Sequence, residues 1–126
     1  MYNISNKKNL TILTVNCRSI RDKKAEFHVT LNYTKPDIVL GTESWLKGMK
    51  PGKNATKYAI KSCEIFPDNY TKYRNDRGTL GGGVFIMFNK DIISVEKTKF
   101  ITNYEIEWVS LKLIKTTMTL TWYRHF

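Results

Sequence analysis

Between Leu10 and Glu43 the chain changes its pattern twice, and that change restricts the fold more than any other feature. Leu10 to Asn16 is enriched in Thr, Ile, Leu and Val and closes on a polar Asn, which predicts a strand. Ser19 followed by Asp22 predicts a helix start, with the hydroxyl capping open N–H groups and the acid favoured in the first turn. The helix would run to about Tyr33, with Ile20, Phe27 and Leu31 on one face and His28 at its boundary. Pro36 and Asp37 then punctuate the chain, and Ile38, Val39 and Leu40 form a short apolar run suited to a buried strand, followed by polar Thr42 and Glu43. A strand–helix–strand unit places its two strands parallel, with a right-handed connection. Asn16 and Glu43 should therefore emerge at the same sheet edge. In α/β sheets that edge is the usual ligand site, because rigid strands fix the backbone while the crevice beyond them stays open.

The remaining segments read as one excursion and a set of strands. From Lys47 to Lys61 the chain carries Lys47, Lys50, Lys53, Lys57 and Lys61 with Gly48, Pro51 and Gly52, which predicts a basic loop with at most a short helix. Short strands are expected around Ile65, Phe66 and Tyr73. The Gly81 to Gly83 run lacks any phosphate-loop spacing, so close backbone packing is the expected reason for it. Val84 to Phe88, Ile92 to Lys97, Tyr104 to Leu113 and Thr117 to Tyr123 are expected to form an antiparallel meander.

A chain of 126 residues is long enough for one domain and one core. Its 21 basic against 11 acidic side chains leave a net charge of +10, which points to polyanionic partners, although a Lys- and Asn-rich composition has the same effect without selection for binding. Cys17 and Cys63 are too few for a disulfide framework and no Cys/His spacing resembles a zinc site, so a reducing compartment is the simpler expectation. No stretch resembles a signal peptide or a membrane span, and we expect an intracellular protein, nuclear or cytoplasmic, with no membrane partner and no small-molecule cofactor.

Four motifs stand in order: Leu-Thr-Val-Asn-Cys-Arg-Ser-Ile (13–20), Lys-Pro-Asp-Ile-Val-Leu-Gly-Thr-Glu-Ser-Trp-Leu (35–46), Tyr-Arg-Asn-Asp-Arg (73–77) and Gly-Gly-Gly-Val-Phe-Ile (81–86). Together they resemble the N-terminal part of an endonuclease/exonuclease/phosphatase domain, of the apurinic-type endonuclease carried by non-LTR retrotransposons. The resemblance implies an α+β fold, an incomplete four-layer α/β sandwich of the DNase I-like type, mostly one sheet with one or two helices. Residues 1–9 would be a flexible basic N-terminus and 10–126 a truncated domain whose C-terminal half is absent.

The same resemblance implies a site. Glu43 would coordinate Mg²⁺, with Mn²⁺ as a substitute; Asn16 would organise the metal and the phosphate; Tyr123 would contact the scissile phosphate of DNA. Water would attack that phosphodiester in line. The Asp-X-Asn pair and the Asp-His that activates the water in this family should lie past residue 126, and His125 would need a different backbone path to stand in for that histidine. Loss of a general base costs about two to four orders of magnitude in rate, so a nearly inert remnant is expected, with an uncovered sheet face open to self-association. The alternative is a non-catalytic nucleic-acid-binding module using Lys50, Lys53, Lys57, Arg74 and Arg77. Both arginines are equally able to pair with Asp68, Asp76 or Glu64. A phosphoinositide or another phosphoester ranks last as substrate.

Overall fold

The computed structural model describes residues 10–77, 81–96, 106–113 and 116–123, the last two stretches by their backbone. The first strand, β1 (Ile12–Asn16), lies parallel to β2 (Ile38–Thr42), with Ile12 opposite Ile38 and Asn16 opposite Thr42. Helix α1 (Lys24–Thr34) makes the crossover between them. It ends where Lys35 adopts a left-handed conformation and donates its N–H to the Leu31 carbonyl, directly before Pro36, whose ring disfavours helix in the residue ahead of it.

The helix starts later than the sequence suggests. Ser19 has φ 77° and donates its hydroxyl to Asp22 at 2.8 Å, while Lys23 occupies the N-cap position without a side-chain cap. The reason is the backbone: Arg18 and Ser19 take positive φ, which a right-handed helix excludes, and the N–H groups of Ser19 and Ile20 tie this turn to the carbonyls of Glu43 and Ser44. Phe27 and Leu31 remain the buried face of α1.

Val84 to Phe88 does not join a meander with the last three strands. It forms β4 (Val84–Asn89), which pairs antiparallel with both β2 and β3 (Tyr70–Asn75) and makes a four-stranded sheet in the order β1-β2-β4-β3. Strands β5 (Ile93–Glu96), β6 (Ile106–Leu113) and β7 (Thr116–Tyr123) form their own antiparallel sheet. Ile65 and Phe66 are not a strand either, since they follow a 3₁₀ turn at Ser62–Glu64 and are drawn into the core. The expectations for residues 1–9, Tyr104 and His125 lie outside the described residues.

Period-two alternation builds a core on each face of the first sheet. On the helix side, Val39, Phe85 and Met87 pack with Phe27, Leu31 and Phe66. The Phe27, Phe66 and Phe85 rings meet edge-on or tilted at centroid distances of 5.0 to 6.2 Å. Gly41 sits opposite Phe85, and a Cβ there would stand 2.0 Å from the ring, so the glycine is what lets the ring lie across β2. On the other side, Ile38, Leu40, Ile86, Phe88 and Ile92 form a second cluster, and Tyr73 reaches from β3 to bond the Ser94 carbonyl on β5 at 3.0 Å. Strand β1 is the outer strand, and Ile12 on it is 52% exposed.

No helix among the described residues is long and apolar enough to cross a membrane. Both cysteines are unpaired, Cys17 buried and Cys63 exposed. Burial pushes the Cys17 thiol from 9.0 up to about 12, a rise opposed by nearby Lys23, and burial followed by the Asp37 charge raises the Tyr70 phenol. Both groups are harder to ionise folded than unfolded, so the stability present below their unfolded values is lost as pH rises through the folded ones. Urea midpoints should fall as pH climbs from about 9 towards about 12, and Cys17→Ala should flatten the first part of that fall.

Candidate active site

The parallel β1–β2 pair delivers Asn16 and Glu43 to one edge. Asn16 is exposed at the end of β1, opposite Thr42, and Glu43 follows directly, half-buried. The turn carrying Glu43 is held on both flanks by main-chain hydrogen bonds. On one side the N–H groups of Cys17, Ser19 and Ile20 donate to the carbonyls of Thr42, Glu43 and Ser44 at 2.9 to 3.1 Å. On the other, the Trp45 N–H donates to the Gly82 carbonyl at 2.8 Å and the Ser44 N–H to the Gly83 carbonyl at 3.4 Å. Arg18, Ser19, Glu43 and Trp45, all non-glycine, take positive φ in these two facing turns. Each such residue costs about 1–3 kcal/mol, and strain of this kind concentrates at functional sites.

The Glu43 carboxylate is oriented by its own turn. Its Oε2 accepts the Trp45 indole N–H at 2.6 Å and the Gly82 N–H at 3.4 Å. The glycine run is the counter-surface of this turn: a Cβ on Gly83, whose φ is 93°, would stand 2.4 Å from the Ser44 hydroxyl. Close backbone packing, rather than a phosphate loop, accounts for it.

Among the described residues no three His, Cys, Asp or Glu side chains gather into a metal cage. Mg²⁺ needs no such cage, since it is commonly held by one or two carboxylates together with waters and substrate phosphate. A fixed Glu43 carboxylate with the Asn16 amide at the neighbouring strand end is a set of hard oxygen donors that fits this ion. The backbone of Tyr123 ends β7, opposite Ile106.

The basic residues divide into two groups. Arg74, expected among the ligand contacts, is buried, its side chain 3% exposed, and it pairs with Asp76 at 2.6 Å. Its remaining donors reach the Ile60 carbonyl, the Ser62 hydroxyl and the Lys47 carbonyl, so it clamps both ends of the lysine-rich loop onto β3. Burial of the loop base decides this, because a charge taken from water must be paired there. The cations presented outward are Lys53 and Lys57, which are exposed, whereas half-buried Lys50 turns inward to donate to the buried Asn75 side chain at 3.2 Å. Arg77 is half-buried, and its guanidinium and the Trp45 indole nitrogen lie 3.6 and 3.8 Å from the position of a Cβ on Gly81. Arg77 thus stands beside the Glu43 turn. Trp45 was not anticipated; the only signal for it was its place two residues past the acid.

No protein-family model and no curated protein matches the sequence. Solved structures do match. The chain superposes on the endonuclease domain of TRAS1, a telomere-specific non-LTR retrotransposon, with a TM-score of 0.63 and 16% identity over 94% of its own length and 45% of that domain. It superposes on the AP endonuclease LMAP from Leishmania major with a TM-score of 0.63 and 10% identity, over 91% of this chain and 40% of that one. The 3′ phosphatase NExo from Neisseria, bound to product DNA hairpin, matches with a TM-score of 0.56 and 12% identity, over 88% and 40%. The chain has a DNase I-like fold. It spans less than half the length of these structures, which are two endonucleases and a phosphatase.

Two substitutions separate the supports of the Glu43 turn and the lysine-rich loop. Arg74→Ala leaves the Asp76 charge buried without its partner and should lower unfolding free energy by about 3–5 kcal/mol in urea titration. Gly83→Ala brings both a clash and an unfavourable φ, and should lower the unfolding free energy by more than the roughly 1 kcal/mol usual for a point substitution.

Proposed function

We propose that this chain is part of a metal-dependent phosphodiesterase acting on DNA, a remnant of the kind of endonuclease that nicks target DNA for retrotransposition. The observation that supports it most is the Glu43 carboxylate, aimed by Trp45 and Gly82 at the carboxyl edge of the parallel β1–β2 pair. Glu43 and Asn16 would hold Mg²⁺, or Mn²⁺ in its place. The ion, when bound, supplies charge neutralisation at the phosphate. Arg77 would attract the same phosphate, and Tyr123 at the end of β7 would contact it. In this reading residues 10–126 are the first part of a domain, and the group that activates water lies in the remainder. The chain alone therefore binds metal and DNA without turning over.

The outer edge of β1, with Ile12 half-exposed, supports association of the fragment through the uncovered sheet. Light scattering should find species heavier than one chain; a single monomeric species would count against that part.

Mn²⁺ binding followed by electron paramagnetic resonance should show one site lost in Glu43→Ala, and supercoiled plasmid with Mg²⁺ should stay un-nicked. Unchanged Mn²⁺ binding in the variant removes Glu43 from the metal site, whereas nicking that Glu43→Ala abolishes overturns the inactivity.

A second reading is favoured by the outward lysines of the 47–61 loop: a non-catalytic DNA-binding module. It is distinguished by DNA affinity that falls steeply with salt and is unchanged by Glu43→Ala.

A further inference from the structure

A cavity of about 410 Å³ opens between the lysine-rich loop and the end of β3, lined by Lys47, Met49, Lys50, Lys53, Tyr58 and Arg77 among others. We propose that it is a subsite for one unpaired nucleotide of the DNA strand whose neighbouring phosphate lies at Glu43; this rests on the DNA reading of the Glu43 site.

Three properties of the cavity fit that ligand. Its charge is positive: the one acid among the described residues of its wall, Asp76, is bonded to Arg74 at 2.6 Å and to the Met49 N–H at 2.9 Å, while Lys47, Lys50 and Lys53 also line it. It also carries an aromatic face. Tyr58 is 84% exposed, with the Lys57 ammonium over one face of its ring, 5.4 Å from the centroid, so a base would stack on the opposite face while the cations meet its phosphate. Its volume lies at the low end of the roughly 300–1,000 Å³ of small-ligand sites, which suits one nucleotide and excludes a duplex. Position adds the link to the chemistry, because Arg77 lines the cavity and also flanks Gly81 beside Trp45. The cavity thus adjoins the Glu43 turn through Arg77. It is firmly placed as well: the loop that walls it is clamped at both ends by Arg74.

The test uses the whole chain and two labelled duplexes, one fully paired and one with a single unpaired 2-aminopurine. Fluorescence anisotropy should give tighter binding to the duplex with the unpaired base, with its fluorescence quenched on binding. Tyr58→Ala should lose about five- to 160-fold in affinity for that duplex alone, the range for removing one base–aromatic stack, while Tyr58→Phe keeps it. Equal affinity of Tyr58→Ala and the native chain for the unpaired-base duplex, with quenching unchanged, overturns the subsite. Failure of both duplexes to bind at low salt overturns the DNA reading beneath it. Because Tyr58 is so exposed, its removal leaves the core untouched, and the circular dichroism spectrum should not change.

Discussion

The Glu43 turn depends on being gripped from two directions by backbone. Residues 17–20 grip it from the β1 side and residues 82–83 from the β4 side, through five main-chain hydrogen bonds that a side-chain change cannot easily remove. Positive φ at Glu43 and Trp45 is tolerable only under such constraint, since an isolated turn would relax to a cheaper conformation. The same grip accounts for the late start of α1, because it holds Arg18 and Ser19 in a left-handed turn that a right-handed helix cannot include. It explains the glycines too, since any Cβ at Gly83 would push Ser44 away. One side chain is aimed as the outcome: Glu43, bonded to the Trp45 indole two residues later.

A second constraint organises the flank. The long polar loop from Lys47 has few apolar groups of its own, so its placement falls to the buried Arg74–Asp76 pair and the carbonyls Arg74 collects. Ion pairs of this kind add little net stability compared with an apolar core, but they fix geometry, because no other arrangement satisfies both charges. Outward lysines then project from a loop with a defined base. Charge in this protein therefore has two separate roles, one buried and structural, the other facing outward.

Between the sequence and the structure the agreement follows locality. The strand–helix–strand unit, the parallel pairing and the shared edge of Asn16 and Glu43 were legible, because alternation and punctuation report burial over a few residues and the crossover has one favoured hand. The meander was not, because Val84 to Phe88 is equally apolar on both faces and its pattern cannot say which strands flank it. Arg74 was ambiguous for a similar reason: a sequence shows which acids lie nearby but not which side chains are out of water.

The sequence by itself determined most element types, though not the turn at Ile65 and Phe66, together with the acid at a strand end and the basic excess, each a property of neighbouring residues. Only the tertiary structure decided that β4 lies between β2 and β3, that Arg74 is a clamp while Arg77 stands by the site, and that Trp45 holds Glu43. Those outcomes depend on which distant surfaces exclude water together, and that is settled by packing of the whole sheet rather than by any local preference.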